Sequence, residues 1–218
     1  MGNEAQKEII CLSGGSGEIV VQKSRFLADV SPVKNAGEAE AFLSGIRKKY
    51  YDAKHHCYAY AAGEDGLVKK CSDDGEPQRT AGMPIMDIIE RQNIKDICIV
   101  VTRYFGGILL GTGGLVRAYQ AAAEEGLRHS VLAERKTGFL LSYSLDYGLY
   151  EKMKNLSERE RITVPETVFG ERVRLKVLIP EELEGEFLKQ VREMSCGAAV
   201  PEEKKPVRYC MSGGKVLY

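Results

Sequence analysis

Two stretches hold nearly all the side chains of this sequence that can do chemistry. In Ser72 to Gly82 (SDDGEPQRTAG), Asp73, Asp74 and Glu76 set three carboxylates within four positions, and Gly75 and Pro77 turn the chain around them. Such a cluster can ligate Mg²⁺, accept from an arginine, or stay in water as turn-rich acidic loops usually do. In Val100 to Tyr119 (VVTRYFGGILLGTGGLVRAY), Arg103 and Tyr104 lead into Gly106, Gly107, Gly111, Gly113 and Gly114, five glycines within nine positions, with Arg117 and Tyr119 beyond them. So many positions without a Cβ imply a backbone that takes positive φ or approaches something closely. A helical pattern starts at Leu115, so the glycines sit at a helix N-terminus, where unpaired N–H groups and the macrodipole favour an anion. Arg103 and Arg117 can add charge-assisted bonds to it. Arg117 is itself disfavoured near a helix start unless an anion or acid answers it. The competing reading is that the glycines only let a strand and a helix pack tightly.

Known phosphate motifs do not fit. There is no Gly-Lys-Ser/Thr ending, and Gly111-Thr112-Gly113 runs into Gly114, Leu115 and Val116 instead of a dinucleotide fingerprint. A general base is scarce: His55 and His56 are adjacent, so on a strand they face opposite ways and at most one can serve. The six cysteines form no C-x-x-C pair and no finger-like spacing with histidine, as expected of buried thiols in a reducing compartment. No metal centre and no cofactor is expected.

Charge removes the simplest nucleic-acid argument. Lysine plus arginine and aspartate plus glutamate both number 31, and splitting after Ser130 leaves 16 basic against 17 acidic residues, then 15 against 14. Any nucleic-acid contact must come from a local patch. At 44% hydrophobic and 28% charged the chain has the makeup of a folded globular protein. No apolar run approaches membrane-spanning length, and the opening residues lack a signal-peptide pattern, so a cytoplasmic protein with no membrane partner is expected.

The elements that position these residues follow from periodicity. Strands are expected over 7–13 and 17–32, and Asn35 with Glu38 caps a helix carrying Leu43 and Ile46 inward. Strands follow at CYAYAA and up to Cys71, then a helix with Pro84 in its first turn that ends near Asn93. Ile97 to Val101 is a short β-branched run expected to be buried on both faces. A helix from about Thr112 to Arg128 turns Leu115, Tyr119, Ala122 and Gly126 inward. From Val131 the pattern restarts: a strand over 136–145, a helix capped by Asp146, strands over 161–169 and 172–179 joined at Gly170-Glu171, a helix after Pro180, and a last strand near Ala198. That order, β-α-β-β-α-β, is the split βαβ of a ferredoxin-like domain.

The segments SDDGEPQRTAGMPI and VVTRYFGGILLGTGGLVRAY, with the D-A-K-H-H-C-Y-A-Y run before them, closely resemble the YigZ/IMPACT family. The resemblance is strong over about the first 130 residues, and the second half is similar to the small C-terminal domain of the bacterial members. It implies an α+β chain of two domains: 1–132, an α/β domain like the second domain of a small-subunit ribosomal protein, and 133–218, the ferredoxin-like domain. The first of these folds contains an unusual left-handed crossover, against the general rule of handedness. Eukaryotic members regulate translation under stress through a further N-terminal domain for which this chain has no room. The implied function is a non-catalytic nucleic-acid or ribosome-associated protein, a regulator of translation whose partners are RNA or translation factors. The site residues implied by position are Asp73, Asp74 and Glu76 in one segment and Arg103, Tyr104, Gly106, Gly107, Gly111, Gly113, Gly114, Arg117 and Tyr119 in the other. The alternative is a Mg²⁺-dependent enzyme acting on a phosphorylated small molecule or nucleotide, with the three carboxylates on the metal and the glycine loop on phosphate. A third, structural reading has the acidic loop answering Arg103 and Arg117 in a salt-bridge network. Gln78-Arg79 stands where the family often has two small residues, and Met83 and Leu109 stand where lysines are common, which makes this surface less basic than the family's.

Overall fold

Strand alternation sorts the first part of the chain into two faces, and each face takes its own helices. The computed structural model describes residues 7–63, 66–213 and 215–217. It divides into two compact units after Glu134. In chain order the first unit runs β1 (Glu8–Ser13), β2 (Ser16–Val21), β3 (Ser24–Pro32), α1 (Ala36–Lys49), β4 (His55–Ala62), β5 (Val68–Ser72), α2 (Gly82–Arg91), β6 (Ile94–Lys95), β7 (Ile97–Tyr104) and α3 (Gly111–Arg128). Five strands form an antiparallel sheet in the order β2-β3-β7-β4-β5. β1 pairs in parallel with β6 outside it.

The central strand is the expected apolar run, buried on both faces. Cys98 and Val100 point to one side, where Tyr58, Tyr60 and Ala62 of β4 meet Leu43 and Ile46 of α1. Ile97, Ile99 and Val101 point to the other, against Ile85, Ile88 and Ile89 of α2 and Leu115, Tyr119 and Ala122 of α3. The start of α1 follows its sequence signature: Asn35 accepts from the Glu38 N–H at 3.0 Å, and Glu38 accepts from the Lys34 N–H at 2.8 Å.

This arrangement forces a rare handedness. β3 and β4 both run antiparallel to β7 between them, so α1 makes a parallel crossover; β5 and β7 both run antiparallel to β4, so α2 makes another in the opposite direction. A half-turn about the sheet normal superposes one crossover on the other with its helix on the same face. α1 and α2 lie on opposite faces, so the two crossovers are of opposite hand. One of them is therefore left-handed, against the general preference.

The second unit contains β8 (Val131–Leu145, which spans the boundary), α4 (Tyr147–Arg159), β9 (Thr163–Val168), β10 (Val173–Pro180), a 3-10 turn (Glu181–Leu183), α5 (Glu184–Met194), β11 (Glu203–Ser212) and β12 (Lys215–Leu217). Its strands lie in the order β9-β10-β8-β11-β12, with β10 antiparallel to both β9 and β8. Leaving out the added β12, this is the ferredoxin-like arrangement with the first and third strands at the centre. Asp146 caps α4 through the Leu149 N–H at 2.8 Å. α4 and α5 bury Met153, Leu156, Phe187 and Val191 on Leu141, Leu175 and Val177.

The last strand departs from expectation. It lies at 203–212 and not near Ala198, because Cys196 and Gly197 take left-handed φ (52° and 83°) and carry the chain off α5 through an irregular passage. Its opening residues, Glu203 to Pro206, are exposed, and their polarity hides the strand from a periodicity reading.

Candidate functional site

The acidic loop folds inward, and each of its carboxylates has its own internal task. Asp73 accepts from the backbone N–H groups of Arg79 (2.8 Å), Ala81 (3.0 Å) and Gly82 (2.9 Å). α2 has no side-chain cap of its own at Ala81, so Asp73 supplies from outside the helix what a local Ser or Asp normally does. Asp74, at φ 40°, accepts from Arg47 at 2.8 Å and from the His56 N–H at 2.7 Å. Glu76 turns into the domain, its side chain 4% exposed, and takes the Arg103 guanidinium at 2.7 and 3.0 Å and the Tyr119 hydroxyl at 2.8 Å.

Arg103 is therefore not at the surface. Its side chain is 7% exposed, and its guanidinium lies between the Phe26 ring at 5.4 Å and the Phe105 ring at 5.5 Å while Glu76 neutralises it. Tyr119 is wholly buried, edge-on to Phe26. The Cys57 thiol donates to the Asp73 carbonyl (3.0 Å) and to the Tyr119 hydroxyl (3.3 Å). Burial, reinforced by the neighbouring Cys57 and Glu76, pushes the Tyr119 phenol far above its ordinary range, and burial pushes the Cys57 thiol up as well. Both stay protonated and act as donors.

The salt-bridge reading thus describes Arg103, whose partner is Glu76, but not Arg117, which has no ion pair or hydrogen bond among the described residues. The three carboxylates, each committed to different donors, do not form the shared oxygen cage that the Mg²⁺ alternative needs. No group of three His, Cys, Asp or Glu side chains placed to hold a metal occurs among the described residues. The histidines are committed too: His55 Nδ1 meets the Asp74 carbonyl at 2.9 Å and His56 Nε2 the Tyr50 carbonyl at 3.1 Å.

The glycines divide between the two roles open to them. Gly106 serves close packing: a Cβ there would stand 2.0 Å from the Lys23 carbonyl carbon, and its N–H bonds the buried Ser24 hydroxyl at 3.1 Å. That contact seats the loop on the β2–β3 turn, where Gln22 and Lys23 both take left-handed φ (46° and 66°), the geometry of a two-residue hairpin. Gly107 and Gly111 are there for conformation, at φ 83° and 67° with open space around them. Gly114 packs against Leu110.

What remains open is the start of α3. Its N-cap position, Leu110, makes no side-chain cap bond, and its first turn has no acid. Gly111, Thr112 and Gly113 are exposed. Arg117, also exposed, reaches back so that its Nη1 lies 3.7 Å from where a Gly113 Cβ would be. The loop before it displays Phe105, Ile108 and Leu109, the last 85% exposed. Tyr104, half-buried on the opposite face of the sheet from Arg103, donates to Asp52 at 2.7 Å and carries Arg25 at 5.7 Å from its ring. That hydrogen bond, with desolvation behind it, pushes the Tyr104 phenol up to about 12.

The partners Phe26, Asp52, Cys57 and Arg47 escaped the sequence reading. They lie 16 to 93 positions from the residues they contact, and no short spacing announces them.

Comparison with known proteins fits this architecture. The Impact N-terminal domain model matches residues 22–127, and a domain of unknown function, DUF1949, matches residues 144–198. The IMPACT family member YvyE of Bacillus subtilis (strain 168) is 39% identical over 183 residues, covering 84% of each chain. The IMPACT family member YigZ of Escherichia coli (strain K12) is 35% identical over 182 residues, 82% of this chain and 88% of its own. A crystal structure of a hypothetical protein, 29% identical, covers 91% of this chain and 99% of its own with a TM-score of 0.56. With both unit-sized matches in order and this identity sustained along most of its length, the chain belongs to the IMPACT family.

Proposed function

We propose that this protein is a non-catalytic module that associates with RNA of the translation machinery through the bare start of α3. The observation that carries the reading is the uncapped, acid-free first turn of Gly111 to Gly114, with Arg117, unpaired among the described residues, folded back over Gly113. Unanswered N–H groups and a free guanidinium at one exposed place suit a phosphate. Regulation of translation by eukaryotic members of the family directs the reading to the ribosome and its RNA. Arg103, Glu76 and Tyr119 contribute by holding the glycine loop in place from beneath, and Phe105 contributes an exposed ring beside it.

Ribosome co-sedimentation tests this reading. Arg117→Ala is expected to weaken association several-fold while leaving the fold intact, since the side chain has no ion pair or hydrogen bond among the described residues, and Arg117→Lys is expected to restore part of the loss. Wild-type association by Arg117→Ala overturns the proposal. Arg103→Ala is expected to act differently, lowering stability first because it strands the Glu76 carboxylate.

A further inference from the structure

A second exposed arrangement lies in the ferredoxin-like unit. Tyr147 and Phe169 are 52% and 60% exposed, large values for aromatic side chains, yet both are held in place. Their rings lie 6.5 Å apart with planes inclined by only 22°; Tyr150 buttresses Phe169 edge-on at 5.4 Å; and the Tyr147 hydroxyl is tied to the Gly170 carbonyl at 2.9 Å. Exposed rings left to themselves lose rotamer freedom on binding, whereas these are already ordered.

Beside them, between α4 and β9, is a hollow of about 330 Å³. Tyr150 lines it on the side of the rings. Ser157, itself only 2% exposed, also lines it, and its hydroxyl has no hydrogen-bond partner among the described residues. A buried hydroxyl without a partner costs stability unless something completes it. Thr167 adds a second hydroxyl. Lys154, one turn beyond Tyr150 on α4, stands exposed at the rim with no ion pair among the described residues, and Glu158 follows it one turn later.

We propose that the hollow between α4 and β9, with the Tyr147–Phe169 platform beside it, binds nucleobases of single-stranded RNA. A base offers a flat π face to the rings, donors and acceptors on its edge to Ser157 and Thr167, and a phosphate to Lys154. Glu158 is an acceptor for an exocyclic amine and keeps the phosphate on the lysine side. Aromatic rings interleaved with cations are how single strands are held without a rigid sequence code. This site is independent of the start of α3, and its failure and that of the first proposal are separable.

The chain has no tryptophan, so Phe169→Trp installs a single indole reporter in the platform. Titration of the full chain with 12-mer oligouridylate and oligoadenylate is expected to quench it saturably, and inorganic polyphosphate of the same length is expected to leave it unchanged. Adding Tyr147→Ala should weaken binding about tenfold or more, the usual scale for losing one stacking ring. Lys154→Gln, a change at an exposed rim position, should weaken it chiefly at low salt. Tighter binding of the 12-mers than of mononucleotides upholds the assignment to strands, and saturation by mononucleotides at the same concentration overturns it. Quenching by neither, equal quenching by polyphosphate, or an affinity indifferent to both added substitutions overturns it. Quenching that survives Arg117→Ala alongside lost ribosome association shows two sites, and lost quenching with intact association removes this one alone.

Discussion

Glu76 is the residue on which the chemistry of the first unit converges, and its surroundings explain why Arg103, expected from the sequence to meet an anionic ligand, is held by an internal carboxylate instead. Arg103 and Glu76 are both removed from water, so neither charge is tolerable without the other. Glu76→Gln is expected to cost about 3–5 kcal/mol in urea unfolding, the scale of breaking a buried pair; a loss below about 1 kcal/mol would place the pair in water instead. Tyr104 gives a second prediction, in pH. Its phenol is pushed up to about 12 from an ordinary value near 10, chiefly by its bond to Asp52. The folded state holds the proton more tightly than the unfolded one, so this contribution to stability is complete below pH 10 and is lost as pH rises from there through about 12. Absorbance titration near 295 nm should show several late tyrosines, Tyr104 among them with the buried Tyr119 and Tyr143, and Asp52→Asn should return one of them toward 10; no change in that variant would assign the shift elsewhere.

At the scale of elements, what matters is that two helices meet their N-terminal N–H groups differently. α2 has its first turn satisfied by Asp73, a residue eight and nine positions before the N–H groups of Ala81 and Gly82. α3 has no such group, and its first turn faces outward. Asp73→Ala is therefore expected to destabilise the protein by about 2 kcal/mol, the upper range for a lost cap, because three N–H groups lose their acceptor together. Thermal unfolding checks it, with Asp73→Asn recovering part of the loss. The sequence showed both helices and their inward faces, since Ile85, Ile88, Ile89 and Leu115, Tyr119, Ala122 recur at helical spacing. It did not show the cap of α2, because a loop carboxylate that turns inward has the same composition as one that stays in water.

For the whole molecule, balanced charge limits how an anionic partner is met. With equal numbers of acidic and basic residues and a pI near 6.8, no long-range field steers RNA toward it. Association is expected to depend only gently on salt, with a slope of log affinity against log salt of about −2 to −3, and Arg117→Ala should reduce that slope by about one. A slope as steep as −6 would require a basic surface that the charge pattern does not provide. Local pattern was sufficient for most of the elements, the ferredoxin-like order of the second half and the residue types gathered near the glycine loop, because helical and strand periods and caps are written in neighbouring positions; the two-residue β6 and the polar last strand escaped it, and the α+β class of the whole chain came with the family resemblance. Which of those residues reach solvent was decided by the packing of α2 and α3 on one face of the sheet and α1 on the other. That packing drew Arg103, Glu76 and Tyr119 into a dry cluster, set Tyr104 on the opposite face, and left Arg117 and the first turn of α3 exposed. The hand of the crossovers was settled at the same level, since it depends on which face each helix covers, and no stretch of sequence carries that information by itself.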